Sequence, residues 1–159
     1  MCLTMPLGTF MRLGRNLERA DMTTRNLDAG IATYLQIKDE DDAFNTKQIV
    51  WGNVLRSLNA DQAYRRKKRS AVKADAILDY LINDAAFPRS ITHCLDAMLD
   101  SCQKLPNSSE LQEKLIAIKQ QAQNDYDNEL IGEPLRDFLN DLQIALSDIH
   151  KDISETWFP

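Results

Sequence analysis

Apolar residues recur along this chain at spacings of three and four, and no run alternates at two. Spacings of three and four line one face of an α-helix, whereas a strand with one buried face needs a period of two. The pattern therefore predicts helices and no sheet. The clearest stripe is Leu135, Phe138, Leu142, Leu146, Ile149 and Ile153. The first is Leu13, Leu17, Ala20, Thr24, Leu27 and Ile31. Between them lie Ile49, Val50, Val54 and Leu58, then a short helix over Ala63-Tyr64-Arg65-Arg66, then Ala74, Ile77, Leu78 and Leu81. Ile91, Leu95, Met98, Cys102 and Leu105 make a fifth stripe; Leu111, Leu115, Ile118 and Ala122 make a sixth. Five Gly and five Pro in 159 residues leave these segments long. About seven amphipathic helices joined by short turns give an all-α bundle in a single domain, 1–159.

Turn chemistry sets the expected boundaries. Helix one starts near Pro6 and runs to about Lys38, before the acidic loop Asp39-Glu40-Asp41-Asp42. Asn45 or Thr46 caps the second helix, Ser70 the fourth, and Asn107 or Ser109 the sixth. Pro88 opens the fifth, and Gly132-Glu133-Pro134 is the turn into the last, which ends near Trp157-Phe158-Pro159. Met5, Met11, Met22, Met98 and the aromatics fall at helical spacing and read as core.

Charge and motif content remove several function classes. The net charge is −5 and the pI about 5.0, which disfavours general polyanion binding, so nucleic acid is not an expected partner. No stretch approaches the roughly 18–20 apolar residues that cross a bilayer. The N-terminal residues lack a signal-peptide pattern, and three Cys form an odd count, so reduced thiols and a cytoplasmic location are expected. His93 and His150 do not follow a Glu at Glu-x-x-His spacing, and Cys94 and Cys102 lack zinc-finger spacing. These four read as packing residues. Asp125 to Glu129 resembles a calcium loop only until position six, Leu130, and position twelve, Arg136, where Gly and Glu are needed. Neither a phosphate loop nor a nucleophile elbow occurs. No catalytic residue, metal or cofactor is therefore expected.

Three clusters remain. Arg12, Arg15 and Arg19 share one face of helix one, where Glu18 can pair with Arg15 and Asp21 flanks the group. They form either a solvated face or a clamp for carboxylate or other anions. Arg65-Arg66-Lys67-Lys68-Arg69 is either a solvated helix end or a phosphate-binding run. Phe87-Pro88-Arg89-Ser90 is either a plain cap or an anion site at a helix N-terminus.

The stretch from Phe10 to Arg25, with Leu13-Gly14-Arg15 followed by Glu18-Arg19, resembles the signature of the bacterial alpha-E family. The segments Trp51 to Leu58, Ala63 to Arg66, Phe87 to Ile91 with Cys94-Leu95, and Phe138-Leu139 with Leu142-Gln143 follow in matching order. Family members usually have about twice this length, and the chain resembles their C-terminal half. The resemblance implies a helical accessory or scaffold protein working beside ATP-grasp-type ligase-like and transglutaminase-like proteins in peptide synthesis or modification. The alternative is a small transferase or ligase component that binds an anionic substrate through an Arg/Glu cluster. On the matched positions, Arg15, Glu18 and Arg19 are the first binding candidates, and Tyr64, Arg65, Arg66 and Arg89 the second. At least one of Glu18 and Arg19 is expected to make a charge-assisted contact to another helix. Half of a duplicated domain would expose apolar surface, so a homodimer through helix one or the last helix is also expected.

Overall fold

The computed structural model describes residues 6–38, 43–69, 72–126 and 131–159. Seven helices are described: α1 (Leu7–Leu35), α2 (Ala43–Ser57), α3 (Asp61–Lys68), α4 (Ala74–Asn83), α5 (Ile91–Gln103), α6 (Ser109–Asp125) and α7 (Glu133–Trp157). No strand occurs among the described residues.

Four of them close into a ring in which α1 packs on α5, α5 on α6, α6 on α7, and α7 back on α1. Neighbours run antiparallel. Arg12 meets Asp100 while Thr23 meets Arg89, and Phe10 meets Trp157 while Asp28 meets Arg136. Each seam carries one cross-helix ion pair: Arg12–Asp100, Lys119–Asp96 at 2.6 Å, Lys114–Asp152 at 2.6 Å and Arg136–Asp28 at 2.9 Å. Solvent screens such exposed pairs, so burial of the stripes between them supplies most of the stability.

The stripes of α1, α5 and α6 lie fully in the core as expected, as does that of α7 apart from half-buried Ile153. Both stripes once expected to be open for a dimer are thus covered within the chain. Trp157 closes the bundle end, its indole N–H donating to the Pro106 carbonyl at 2.9 Å.

Helices α2, α3 and α4 pack at the other end. Gly30 of α1 lets α2 approach: a Cβ there would lie 2.5 Å from Val54 Cγ2. Here several expectations fail. Val54 and Leu58 are buried as expected, but Ile49 is 60% exposed and Val50 only half-buried, and Trp51 and Leu55 complete the buried face in their place. Asn45 and Thr46 lie inside the first turn of α2 rather than before it. Ser70, the expected cap of α4, and the Asp39–Asp42 loop lie outside the described residues. Ser90, not Pro88, caps α5, accepting from the His93 amide at 3.0 Å. Ser108 precedes α6, yet its hydroxyl donates backwards to Cys102 and closes α5. Met98 is core, but Met11 and Met22 are exposed, and Met5 lies outside the described residues. The helix-propensity of a methionine does not require burial, so its spacing alone misleads.

Candidate functional site

Glu18 and Arg19 are neighbours on α1, about 100° apart around its axis, and each meets a different partner helix.

Arg19 is half-buried on the α5 side, close enough to Cys94 for its charge to act on that thiol. Arg89 acts on the same thiol. Burial dominates: the Cys94 thiol is pushed up to about 12 although both guanidiniums pull it down. Cys102 is likewise raised by burial, to about 11. Neither is a ready nucleophile at neutral pH, in line with their expected packing role.

The Arg89 segment is a structural joint. The Asp84 carboxylate accepts the amides of Ala86 and Phe87, both at 2.9 Å, and takes an ion pair from Lys67. Burial pulls its pKa upward, but those three donors outweigh burial and hold it below the usual carboxylate value. Ser90 donates to the Asp84 carbonyl, and His93 Nδ1 lies 2.8 Å from the Ala85 carbonyl. With the turn so fixed, Arg89 Nη1 donates to the Leu58 carbonyl at 2.8 Å, beyond the end of α2. Thr23 of α1 donates to the Arg89 carbonyl at 2.7 Å. The amides of His93 and Cys94 are satisfied by Ser90 itself, so the α5 N-terminus matches the plain-cap reading.

Glu18 lies on the opposite side, in a cleft of about 420 Å³ between α1 and α7. The floor is Gly14, Leu17 and Leu146; the rim is Glu18, Asp21 and Arg25 from α1 and Ser147 and His150 from α7. Arg25 is tied to Asp21 at 2.8 Å, which raises its pKa through that hydrogen bond and charge. Among the described residues, the side chains of Arg15, Glu18 and Arg19 make no hydrogen bond or ion pair. The expected Glu18–Arg15 pair does not form, and neither member of the Glu-Arg pair makes the expected charge-assisted contact to another helix. Arg12 takes Asp100 and Arg25 takes Asp21, leaving Arg15 exposed.

The remaining candidates lie elsewhere. Tyr64 is completely buried, edge-on to Tyr80 at 5.5 Å, so it packs the core and meets no ligand from solvent. Arg65 is exposed and pairs with Asp61 at 3.0 Å within α3. Arg66 lines a separate cleft of about 410 Å³ with Arg56, Asn59 and Gln62. The structure thus brings Arg19 and Arg89 near one another, with Glu18 on the other side of α1 and Arg65 and Arg66 together on α3. His150 and Ser147 were missed. His150 was read as packing, but it stands exposed beside Leu146, and the α7 stripe is the signal that could have placed it on the rim.

Among the described residues, no helix is long and apolar enough to cross a membrane. No curated protein and no solved structure matches the chain. One family model does, over residues 7–158: Alpha-E, described as a predicted alpha-helical domain with a conserved ER motif. Glu18-Arg19 is the one Glu-Arg pair in this sequence, and it sits near the middle of α1, on which α2, α5 and α7 all pack. With the match spanning nearly every residue and the helical architecture in agreement, the chain belongs to the Alpha-E family.

Proposed function

We propose that the chain is a helical accessory protein that docks an ATP-grasp-type ligase-like or transglutaminase-like protein engaged in peptide synthesis or modification. One observation carries the reading: the first-helix pair divides its work, with Arg19 directed into the α1/α5 joint and Glu18 left free on an open cleft. Residues spread along the outside of a rigid bundle suit docking better than group transfer, which needs reacting groups gathered within hydrogen-bond reach. The alternative, a small transferase or ligase component holding an anionic substrate, would draw on Arg19 and Arg89. It is weakened because the Arg89 guanidinium is already engaged by the Leu58 carbonyl.

A bacterial cytoplasmic setting, the half-length relation to other family members and a homodimer belong to the same proposal. With the long stripes covered, the dimer contact would be the exposed apolar end formed by Leu7, Met11 and Phe158.

The test is co-elution and calorimetric titration against the ATP-grasp-type and transglutaminase-like proteins of the same genome. A micromolar complex with either, weakened by Glu18→Lys, is expected. Absence of a complex with both at tens of micromolar would sink the proposal.

A further inference from the structure

We propose that the α1/α7 cleft is a binding site for an alkylammonium group, and that its natural occupant is a lysine side chain of a docked peptide or protein. Three independent features of the cleft support this. Its floor is apolar: Leu17 and Leu146 are core residues whose inner surfaces reach it, and Gly14 adds no side chain. A Cβ built at Gly14 would meet nothing within 4 Å, so the missing side chain widens the cleft and serves no tight backbone contact. Its rim carries an excess of carboxylates: Glu18 and Asp21 stand against the single guanidinium of Arg25, with the His150 imidazole on the α7 side. That guanidinium is held by Asp21, so the carboxylate left to meet a ligand is Glu18, which has no partner among the described residues.

Size and shape narrow the class. A volume of about 420 Å³ fits the lower part of the usual range for ligand sites, roughly 300–1,000 Å³. An unbranched methylene stem on the Leu17–Leu146 floor with its ammonium at Glu18 satisfies both surfaces at once, as long cationic side chains do elsewhere. An anionic ligand would face Glu18 unpaired. The cleft is open to solvent, so the backbone bearing the lysine can remain outside. A cation on a flexible stem is also what a docking partner's surface offers most readily.

The inference deepens the docking reading and rests on it for the source of the lysine. It can be tested without the partner, so the two can fail separately. The probe is Nα-acetyl-lysine methylamide, titrated into the isotope-labelled protein and followed by amide chemical shifts. Shifts confined to Gly14–Arg25 and Leu146–His150 are expected, saturating on the order of 1 mM. Nα-acetyl-norleucine methylamide keeps the stem without the charge and is expected to bind about fivefold more weakly. Glu18→Gln should reduce lysine binding by about the same factor, as expected for one partly exposed charge pair. Ser147→Trp, which fills the cleft from its exposed rim, should abolish the shifts while leaving the circular dichroism unchanged. Equal binding of lysine and norleucine probes, or no shifts with either, overturns the assignment. Stronger binding of Nα-acetyl-glutamate methylamide overturns it in favour of an anion at Arg25. Tighter binding of putrescine than of the lysine probe overturns the peptide source and assigns the cleft to free small amines.

Discussion

The two sides of α1 differ in how their polar groups are used. On the α5 side the polar groups of the turn are committed: Thr23 to the Arg89 carbonyl, Arg89 to the Leu58 carbonyl, and Asp84 to two amides and Lys67, with Arg19 beside them acting on Cys94 only through its charge. On the α7 side the central cleft leaves Glu18, Ser147 and His150 without a fixed protein partner among the described residues. A seam whose donors and acceptors satisfy one another is a joint, because any group left unmet there would cost about 1–3 kcal/mol. A seam with idle polar groups beside open apolar floor has capacity for a ligand. The motif that identifies the family straddles the two, so its Arg and its Glu should fail differently when mutated.

The largest expected effect lies in the joint. Asp84→Ala removes the acceptor for the Ala86 and Phe87 amides and strands Lys67. A loss of about 2 kcal/mol is expected, a fall of roughly 4–8 °C in melting temperature for a domain of this size. The effect should depend on pH in a set direction. The folded pKa of Asp84 is lowered, so its contribution is present above the unfolded carboxylate value, near about 4, and is lost as pH falls through the folded value. Denaturant titrations should therefore show Asp84→Asn differing most from the parent near neutrality, with the gap closing in acid. A gap that widens in acid would break the view of Asp84 as an ionised fastening.

Arg89→Ala comes next, at about 1–2 kcal/mol, because it leaves the Leu58 carbonyl unmet and loosens the turn that Thr23 grips. Thiol labelling gives a second readout. In a Cys2→Ser background, Cys94 and Cys102 should resist alkylation at pH 8, being buried and raised to about 12 and about 11. Arg89→Ala should speed Cys94 labelling more than Cys102 labelling. Rapid labelling of Cys94 in the parent would show that the joint is open.

Gly14→Ala tests the cleft from its floor. In an exposed helix interior, alanine is favoured over glycine by about 0.5–1 kcal/mol, and the new Cβ meets open space. A small gain in stability is expected together with weaker lysine-probe binding. The contrasting change is Gly30→Ala, where the Cβ would fall 2.5 Å from Val54 Cγ2 and overpacking should cancel or reverse the same gain.

The bundle was legible in the sequence because each of its helices is buried through one stripe, and a stripe is a local property. The α1, α5 and α6 positions all lie where the spacing put them. The corner built from α2 to α4 was read less well. There Ile49 gives way to Trp51 because Gly30 decides which face of α2 can approach α1, and that contact joins residues far apart in sequence. The same distance hid the site. Arg89 looked like an anion ligand until its guanidinium met a carbonyl 31 positions away, and Tyr64 looked like a binding residue until it lay fully buried against Tyr80 of α4. Glu18 was legible as a candidate, but the cleft was not, since its other wall comes from Leu146, Ser147 and His150 at the far end of the chain.

The smallest expected effect separates the two members of the Glu-Arg pair. Glu18→Ala removes an exposed side chain that makes no described protein contact, and alanine suits a helix slightly better than glutamate, so stability should change by less than about 0.5 kcal/mol. Arg19→Ala removes a half-buried stem from the α1/α5 seam, where the methylenes cover apolar surface, and should lose about 1 kcal/mol. Paired chemical denaturation curves of the two variants decide the matter. Probe binding should show the reverse order, with Glu18→Ala impaired and Arg19→Ala nearly intact, because the side chain of Arg19 is directed to the other seam. Equal losses of stability, or equal losses of binding, would mean that the pair acts as one unit and that the division between joint and cleft is wrong.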